Sequence, residues 1–168
     1  WLLKDVQMDY LQDKFAKKGL MILYTSPWPG QGFYTKFPVN SVADFKGKKL
    51  RIYSTATQQM GSMLGFNATI LPFAEIPQAF STGLIEALFT SPQTGIDIQA
   101  WDNTKHFTYA GAIFSKNAVV VSKKAFDALS KSDQSNILAA AKRAELRGWE
   151  MSAETTKKQI DILKKIML

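Results

Sequence analysis

Between residues 49 and 101 the chain alternates short apolar runs with amphipathic stretches. The runs are residues 49–53 (KLRIY), 68–71 (ATIL) and 85–89 (IEALF). Gly65 and Gly83 follow the intervening helical segments, and glycine is common just past the last turn of a helix. Short strands that alternate with helices of this size are typical of βαβ units on a parallel sheet. The sequence therefore predicts an α/β fold.

The flanking segments have other patterns. Residues 25–38 are too rich in proline, glycine and aromatic residues to form a regular helix. The remaining flanking elements are predicted as a helix over about 1–18, a strand over 20–24 and two closely spaced strands over 107–113 and 118–121. A helix from about Ser132 to the end, with Gly148 as a candidate kink, would be roughly 50 Å long. A helix of that length exceeds one small domain, so it is expected to run along two lobes.

Neither end of the chain carries a helix start or stop signal. We therefore expect an interior piece of a longer chain. The sequence also lacks cysteine and contains a single histidine, His106, which excludes disulfides, cysteine nucleophiles and most histidine-based metal sites. Carboxylates are present but form no spaced pair suited to acid–base chemistry; they are Glu75, Glu86, Asp97 and Asp102. No catalytic residue and no cofactor are predicted, and the chain is not expected to be an enzyme.

The formal net charge is +7, yet only three of the 21 basic residues are arginines. The lysines come mostly as separated pairs such as Lys48-Lys49. A nucleic-acid-binding protein usually concentrates its charge and uses arginine for bidentate contacts to bases. We therefore expect no nucleic-acid partner, although the charge would favour an anionic solute or an anionic partner protein.

Arg51 lies within the first of the three predicted strands, between apolar neighbours. If that strand is central, the guanidinium is partly buried and needs an anionic partner. The partner could be a carboxylate of the protein itself, or the strand could be an edge strand that leaves the arginine exposed. Alternatively, the planar guanidinium could bind the carboxylate of a ligand through two parallel hydrogen bonds. The residues alone leave these alternatives open.

Residues 42–52 (VADFKGKKLRI) and 71–86 (LPFAEIPQAFSTGLIE) resemble the pattern "aDlkGkKlR", a helix, then "mpfsEvyqAlqtGvvDg". This pattern is characteristic of the substrate-binding proteins of TRAP transporters, the DctP-like family. The match in order, spacing and residue type extends over nearly all of 42–92, and the flanking segments agree more loosely. The resemblance covers the chain but only the middle part of a family member.

The resemblance implies a two-lobed periplasmic-binding-protein-like fold. Residues 1–29 would belong to lobe I, 30–115 would form most of lobe II, and 116–168 would return to lobe I through a helix that spans both lobes. The implied protein is a periplasmic monomer that closes on a small organic acid. It would deliver that solute to the membrane permease subunits of a transporter driven by an ion gradient.

The resemblance also implies the site. Arg51 matches the arginine that pairs with the ligand carboxylate, and Phe73 matches an aromatic residue that lines the cleft. The other candidates are Thr90 and Ser91 after the third strand, Gln31 in the loop before the 42–52 segment, and Asn117 at the start of a strand that links the lobes. Many members carry another arginine or a polar cleft residue in that loop, where Gln31 is the nearest match. A site with one fewer cation is expected to suit a monocarboxylate, or an aromatic or otherwise less charged ligand. Residues 89–91 lack the acidic residue that holds a metal in some members, so no metal is expected.

Two functions from other classes remain as alternatives. The same fold could serve as the ligand-sensing domain of a receptor, which a transmembrane segment in the full gene would reveal. An enzyme on an α/β scaffold is the other alternative, and the scarcity of histidine, cysteine and paired carboxylates argues against it.

Overall fold

The computed structural model describes residues 2–167, with side-chain exposure from residue 6 onward. Trp1 and Leu168, at the ends of the predicted first and last helices, lie outside the described residues. The helices are α1 (Leu2–Ala16), α2 (Thr55–Met63), α3 (Ile76–Ser81), α4 (Pro92–Asp97), α5 (Lys123–Asp127) and α6 (Lys131–Ile166). The strands are β1 (Leu20–Pro27), β2 (Gln31–Thr35), β3 (Lys49–Ile52), β4 (Asn67–Ile70), β5 (Ala87–Thr90), β6 (His106–Ala112) and β7 (Lys116–Ser122). Short 3₁₀ turns lie at Val42–Phe45, Phe73–Glu75 and Ala100–Asp102.

A five-stranded sheet contains the three strands of the alternating region. Its strand order is β4-β3-β5-β2-β6, and β3 pairs in parallel with both β4 and β5. This confirms the predicted α/β class with parallel βαβ units. The sheet as a whole is mixed, however, because β2 lies antiparallel between β5 and β6. The two strands that were predicted close together in sequence, on either side of residue 114, belong to different sheets. β6 joins the five-stranded sheet, and β7 pairs with β1.

β2 is an interior strand that the sequence did not reveal. All five of its residues are buried, and close packing requires glycine at two places around it. A Cβ on Gly32 would lie 2.6 Å from the carbonyl oxygen of Thr108 on the neighbouring strand. A Cβ on Gly95 of α4 would overlap the ring of Tyr34. The prolines and glycines that exclude a helix therefore flank and shape a strand.

Two apolar clusters cover the faces of this sheet. Because successive side chains of a strand point to opposite faces, Phe33 and Phe89 belong to one cluster, whereas Tyr34 and Leu88 belong to the other. In the first, the Phe33 ring lies 4.8 Å from the rings of both Phe45 and Phe89, measured between centroids. Such aromatic pairs contribute about 0.5–1.5 kcal/mol each beyond area burial.

The second cluster joins α3 to the end of the chain. Its buried residues from α3 are Ile76, Ala79 and Phe80, and the end of the chain contributes Leu163 and Met167. Arg51 is on this second face, since it alternates with Leu50 and Ile52 of the first cluster.

Contacts divide the chain into two compact units. Unit 1 comprises Trp1–Trp28 and Ser115–Ala153, and unit 2 comprises Pro29–Phe114 and Glu154–Leu168. α6 is assigned as one helix of 36 residues, the length expected from the sequence, and its residues are shared between the units at Ala153. That the units correspond to lobes I and II stays a prediction. None of the described helices combines the length and apolar character needed to cross a bilayer.

In unit 1, β1 and β7 pair antiparallel, with a register irregularity between Ile22 and Tyr24. The Gln12 side chain satisfies the backbone there, donating to the carbonyl of Ile22 at 2.8 Å and accepting from its N–H at 3.1 Å. Just beyond, Glu145 of α6 accepts hydrogen bonds from the backbone N–H and the hydroxyl of Thr25, at 2.9 and 2.8 Å. These two side chains thus satisfy backbone groups on either side of the irregularity.

Candidate functional site

The candidate site lies at the edge of the five-stranded sheet where β3, β4 and β5 end, which we call the carboxyl edge. Since β2 is antiparallel to β5, it begins at this edge, and Gly32 pairs with Thr90. Gln31 pairs with Ala112, the last residue of β6. Open α/β sheets bind ligands at the carboxyl ends of their strands. The fold thus brings four of the six candidates, Arg51, Gln31, Thr90 and Ser91, to one edge of unit 2.

Arg51 is buried in an interior strand. Its side chain is only 5% exposed, and β3 lies between β4 and β5, so the exposed edge-strand interpretation is wrong. Its Nε donates to the carbonyl of Leu71 at 3.1 Å, and its Cζ lies 5.7 Å from the centroid of the Tyr53 ring. No carboxylate among the side chains of residues 6–167 lies within 4.0 Å of this guanidinium. The internal ion pair that the sequence allowed is therefore absent from the described part of the chain.

The electrostatics of Arg51 reflect this burial. Desolvation lowers the pKa of its guanidinium, and the Coulombic effect of Tyr53 opposes that shift. Neither terminal nitrogen has a hydrogen bond to a described residue, and neither is among the fully buried unbonded atoms. Both therefore retain access to solvent. A guanidinium whose Nε is engaged and whose terminal nitrogens are accessible can bind a carboxylate through charge-assisted hydrogen bonds.

Thr90 ends β5 and was expected just after that strand. It is 6% exposed and shares a face with Arg51, because it is two residues beyond Leu88, the register partner of Arg51. Its hydroxyl has no hydrogen-bond partner among the described groups of the chain and yet keeps contact with solvent. This hydroxyl can donate to or accept from a polar group of a ligand.

Ser91 has a structural role next to it. Its hydroxyl caps α4, accepting from the backbone N–H of Thr94 at 3.1 Å and bonding the Thr94 hydroxyl at 3.0 Å. Its carbonyl accepts from the hydroxyl of Tyr34 at 3.2 Å, and burial raises the pKa of that Tyr34 phenol. Ser91 thus fixes the start of α4 at the carboxyl edge, and its side chain is already engaged.

Gln31 is connected to Arg51 through a residue that the sequence did not single out. The hydroxyl of Tyr53 donates to Oε1 of Gln31 at 2.8 Å, while the ring of Tyr53 lies beside the Arg51 guanidinium. Tyr53 is the first residue after β3, and its aromatic character two positions after an in-strand arginine was the available signal.

The remaining two candidates lie elsewhere. Phe73 is 53% exposed and lines an apolar pocket of about 130 Å³ whose other walls come from α3 and the turn before β6; they include Ile76, Pro77, Phe80, Ile98, Ala100 and Asn103. Several of these belong to the second cluster, on the face that also carries Arg51. Asn117 lies in unit 1, exposed on β7 opposite Ser26 of β1.

Within the described residues no three histidine, cysteine, aspartate or glutamate side chains are grouped closely enough to bind a metal ion.

Several solved structures are closely similar to this chain. An extracytoplasmic solute receptor of Bordetella pertussis that binds pyroglutamic acid is 40% identical, with a TM-score of 0.94, over 99% of this chain and 56% of that one. A TRAP solute-binding protein from an unidentified marine microbe, specific for pyroglutamate, is 34% identical, with a TM-score of 0.92, over 98% of this chain and 55% of that one.

Sequence comparison extends to curated proteins. The ectoine/5-hydroxyectoine-binding periplasmic protein UehA of Ruegeria pomeroyi is 26% identical over 134 residues, which are 79% of this chain and 40% of that protein. The chain spans less than half the length of the curated relatives that it matches and just over half of the solved structures. The family model for DctP, bacterial extracellular solute-binding protein family 7, matches residues 1–167. The chain belongs to this family of solute-binding proteins.

Proposed function

We propose that the full-length gene product is a periplasmic solute receptor of a TRAP transporter, and that it binds a small monocarboxylate through Arg51. The observation that carries the proposal is a buried guanidinium with no carboxylate partner in the described part of the chain, at the carboxyl edge of the sheet. A buried charge is costly unless it is paired. A ligand carboxylate would supply the missing partner and would be held in a site of low dielectric constant.

The ligand that we propose is pyroglutamate or a close cyclic relative. The two solved receptors that bind it share 34–40% identity with this chain. Pyroglutamate has one carboxylate on a five-membered lactam ring, which suits a site with a single arginine. Arg51 would take the carboxylate, and the available hydroxyl of Thr90 would hydrogen-bond the lactam. Ectoine, a cyclic carboxylate bound by a relative at 26% identity, is the second candidate.

The family suggests the wider role. Family members are extracellular solute-binding proteins, so we propose that this protein acts without catalysis. It would release its solute to membrane permease subunits that an ion gradient drives, and it would act as a monomer. We also assign residues 30–115 to most of one lobe, 1–29 to the other, and 116–168 to the return segment and the helix that spans both. Asn117 would contribute to ligand binding from this return segment, and Phe73 from the rim of its apolar pocket.

The test is a thermal-shift and calorimetric screen of the full-length gene product against pyroglutamate, ectoine, a hexuronate, a dicarboxylate and nucleotides. A ligand that binds only the folded state stabilises it by about 2.7 kcal/mol at 100 times its Kd, so pyroglutamate should raise the Tm most. If ectoine alone stabilised the protein, the proposed ligand would change to ectoine, but the proposal of a carboxylate-binding receptor would stand. Stabilisation by nucleotides alone, or by no carboxylate, would overturn the proposed function.

A further inference from the structure

The side chain of Tyr53 contacts two of the candidates at the carboxyl edge, Arg51 and Gln31. Its ring centroid is 5.7 Å from Cζ of Arg51, and its hydroxyl donates to Oε1 of Gln31 at 2.8 Å. We propose that Tyr53 is a positioning residue, which holds the Arg51 guanidinium in the orientation that receives the ligand carboxylate. This inference rests on the proposed function and names a determinant of its specificity.

The guanidinium needs such support because its other fixed contact is a single hydrogen bond. Nε donates to the carbonyl of Leu71 at 3.1 Å. This hydrogen bond restrains one nitrogen, but the guanidinium plane can still rotate about it. An aromatic ring beside the guanidinium attracts it through the ring quadrupole and limits that rotation. Ring and carbonyl together leave the two terminal nitrogens for the ligand. Holding a receptor group in its bound conformation reduces the ordering cost of binding.

Tyr53 can serve as this support because it is itself held at both ends. Its backbone N–H donates to the hydroxyl of Thr57 at 3.3 Å, and the same hydroxyl is bonded to Ser54, the N-cap of α2. At the other end of the side chain, the phenol is tied to Gln31, which is almost fully buried at the start of β2. The ring therefore links the end of β3 to the beginning of β2 across the carboxyl edge.

This arrangement also changes the role of Gln31. The resemblance placed Gln31 where many family members have another arginine or a polar residue that lines the cleft. Here its Oε1 accepts from Tyr53, so Gln31 acts on the ligand carboxylate through Tyr53 and Arg51. An amide at this position fixes the arginine without adding a charge, which fits a ligand with one carboxylate.

A purely structural role would predict a different outcome. Tyr53 also packs against the first apolar cluster, so removing its ring could weaken binding by loosening the fold. The two roles differ in what they discriminate. A residue that orients Arg51 affects a carboxylate ligand far more than its neutral amide, whereas general loosening affects both equally.

The experiment is calorimetry of the full-length gene product with pyroglutamate and its primary carboxamide. We expect Tyr53→Leu to lower the preference for the acid about 5- to 30-fold, and Tyr53→Phe, which keeps the ring, to lower it about two- to fivefold. In an Arg51→Ala background, Tyr53→Leu should cause no further loss of preference, because coupled residues are not additive. The matched control is Tyr10→Leu, since Tyr10 also lies beside a cation, Lys14 at 5.2 Å, but is exposed on α1.

The outcomes separate this inference from the function on which it rests. If Tyr53→Leu weakens acid and amide by the same factor while Arg51→Ala removes the preference, only the positioning role is overturned. If wild-type protein shows no preference for the acid, or Arg51→Ala retains it, the proposed function and the inference both fail. If Tyr53→Leu does not fold, the same comparison is made with Tyr53→Phe, alone and combined with Arg51→Ala. The quantity compared is again the ratio of the affinities for the acid and its amide.

Discussion

The two edges of the five-stranded sheet differ in whether their polar side chains have hydrogen-bond partners within the protein. At the edge where β3 and β5 begin, which we call the amino edge, a buried threonine and two exposed lysines donate hydrogen bonds to backbone carbonyls. Thr35 there donates to the carbonyl of Phe37 at 2.6 Å. At the carboxyl edge, Thr90 is also buried, but its hydroxyl has no hydrogen-bond partner in the part of the chain that the structure describes. The sheet thus satisfies the threonine hydroxyl at one edge and leaves the corresponding hydroxyl available at the other.

The cations differ in the same way. Lys36 and Lys49 at the amino edge donate to carbonyls near the end of α3, those of Phe80 at 2.8 Å and Gly83 at 2.9 Å. Cations at the carboxyl end of a helix stabilise its dipole and its last carbonyls. Arg51 is buried and has no internal counterion in the described chain. Availability, more than charge, therefore distinguishes the edge suited to a ligand, and four predictions test this contrast.

Arg51→Ala should have the largest effect. Loss of a buried charge-assisted contact costs about 2–5 kcal/mol of binding free energy, measured by calorimetry of the full-length gene product with pyroglutamate. The variant should still fold by circular dichroism, because no described carboxylate is left unpaired. Lys49→Ala is the control from the amino edge and should bind like wild type. Equal losses for both variants would erase the contrast between the edges.

Arg51→Lys should come next. It keeps the charge but loses the planar fork and the Nε bond to Leu71, so we expect a loss of about 1.5–3 kcal/mol, the usual range for hydrogen bonds to charged groups. Calorimetry at low and high salt measures it. Wild-type affinity in this variant would mean that charge alone suffices and that geometry does not matter.

A pair of threonine substitutions sharpens the contrast without changing charge. Thr90→Val should weaken ligand binding by about 0.5–1.5 kcal/mol. It should leave the free energy of unfolding almost unchanged, because its hydroxyl has no partner among the described residues. Thr35→Val should do the reverse, since it removes the bond to Phe37. Denaturant unfolding and calorimetry measure the stability and the ligand affinity of both variants. A loss of stability in Thr90→Val would contradict the view that its hydroxyl is available for a ligand.

The smallest effect is expected for Lys36→Met. It removes the donor to the Phe80 carbonyl at the end of α3 and should lower the free energy of unfolding by about 0.3–1 kcal/mol. Binding should not change. A clear loss of affinity measured by calorimetry would show that the amino edge also contributes to ligand recognition.

Sequence reasoning recovered the parts of the fold that depend on local pattern. Residues 49–53, 68–71 and 85–89 contain all of β3 and most of β4 and β5, and the long last helix was placed correctly. β2 was missed because its pairing is non-local: Gly32 bonds with strands that begin more than fifty residues later. Prolines and glycines around it indicated a loop, and tertiary packing overrode that indication.

The candidate site could be predicted from the sequence to a similar extent. Arg51 was identified by a charge inside an apolar strand and by the family resemblance, and four candidates do meet at one edge. The role of Tyr53 depends on a ring position and a bond to Gln31, which comes from a strand that the sequence did not predict. The binding roles of all six candidates stay predictions.

The division of the chain into two units of interleaved segments has a consequence for synthesis. The second apolar cluster includes Leu163 and Met167, so unit 2 needs the last residues of this chain before its core is filled. Unit 1 likewise waits for β7 to reach β1, about ninety residues downstream of it. Contacts of such separation slow folding and leave strand edges exposed in the interval. During synthesis, this part of the protein therefore exposes strand edges and apolar surface until residues 163–167 have been made.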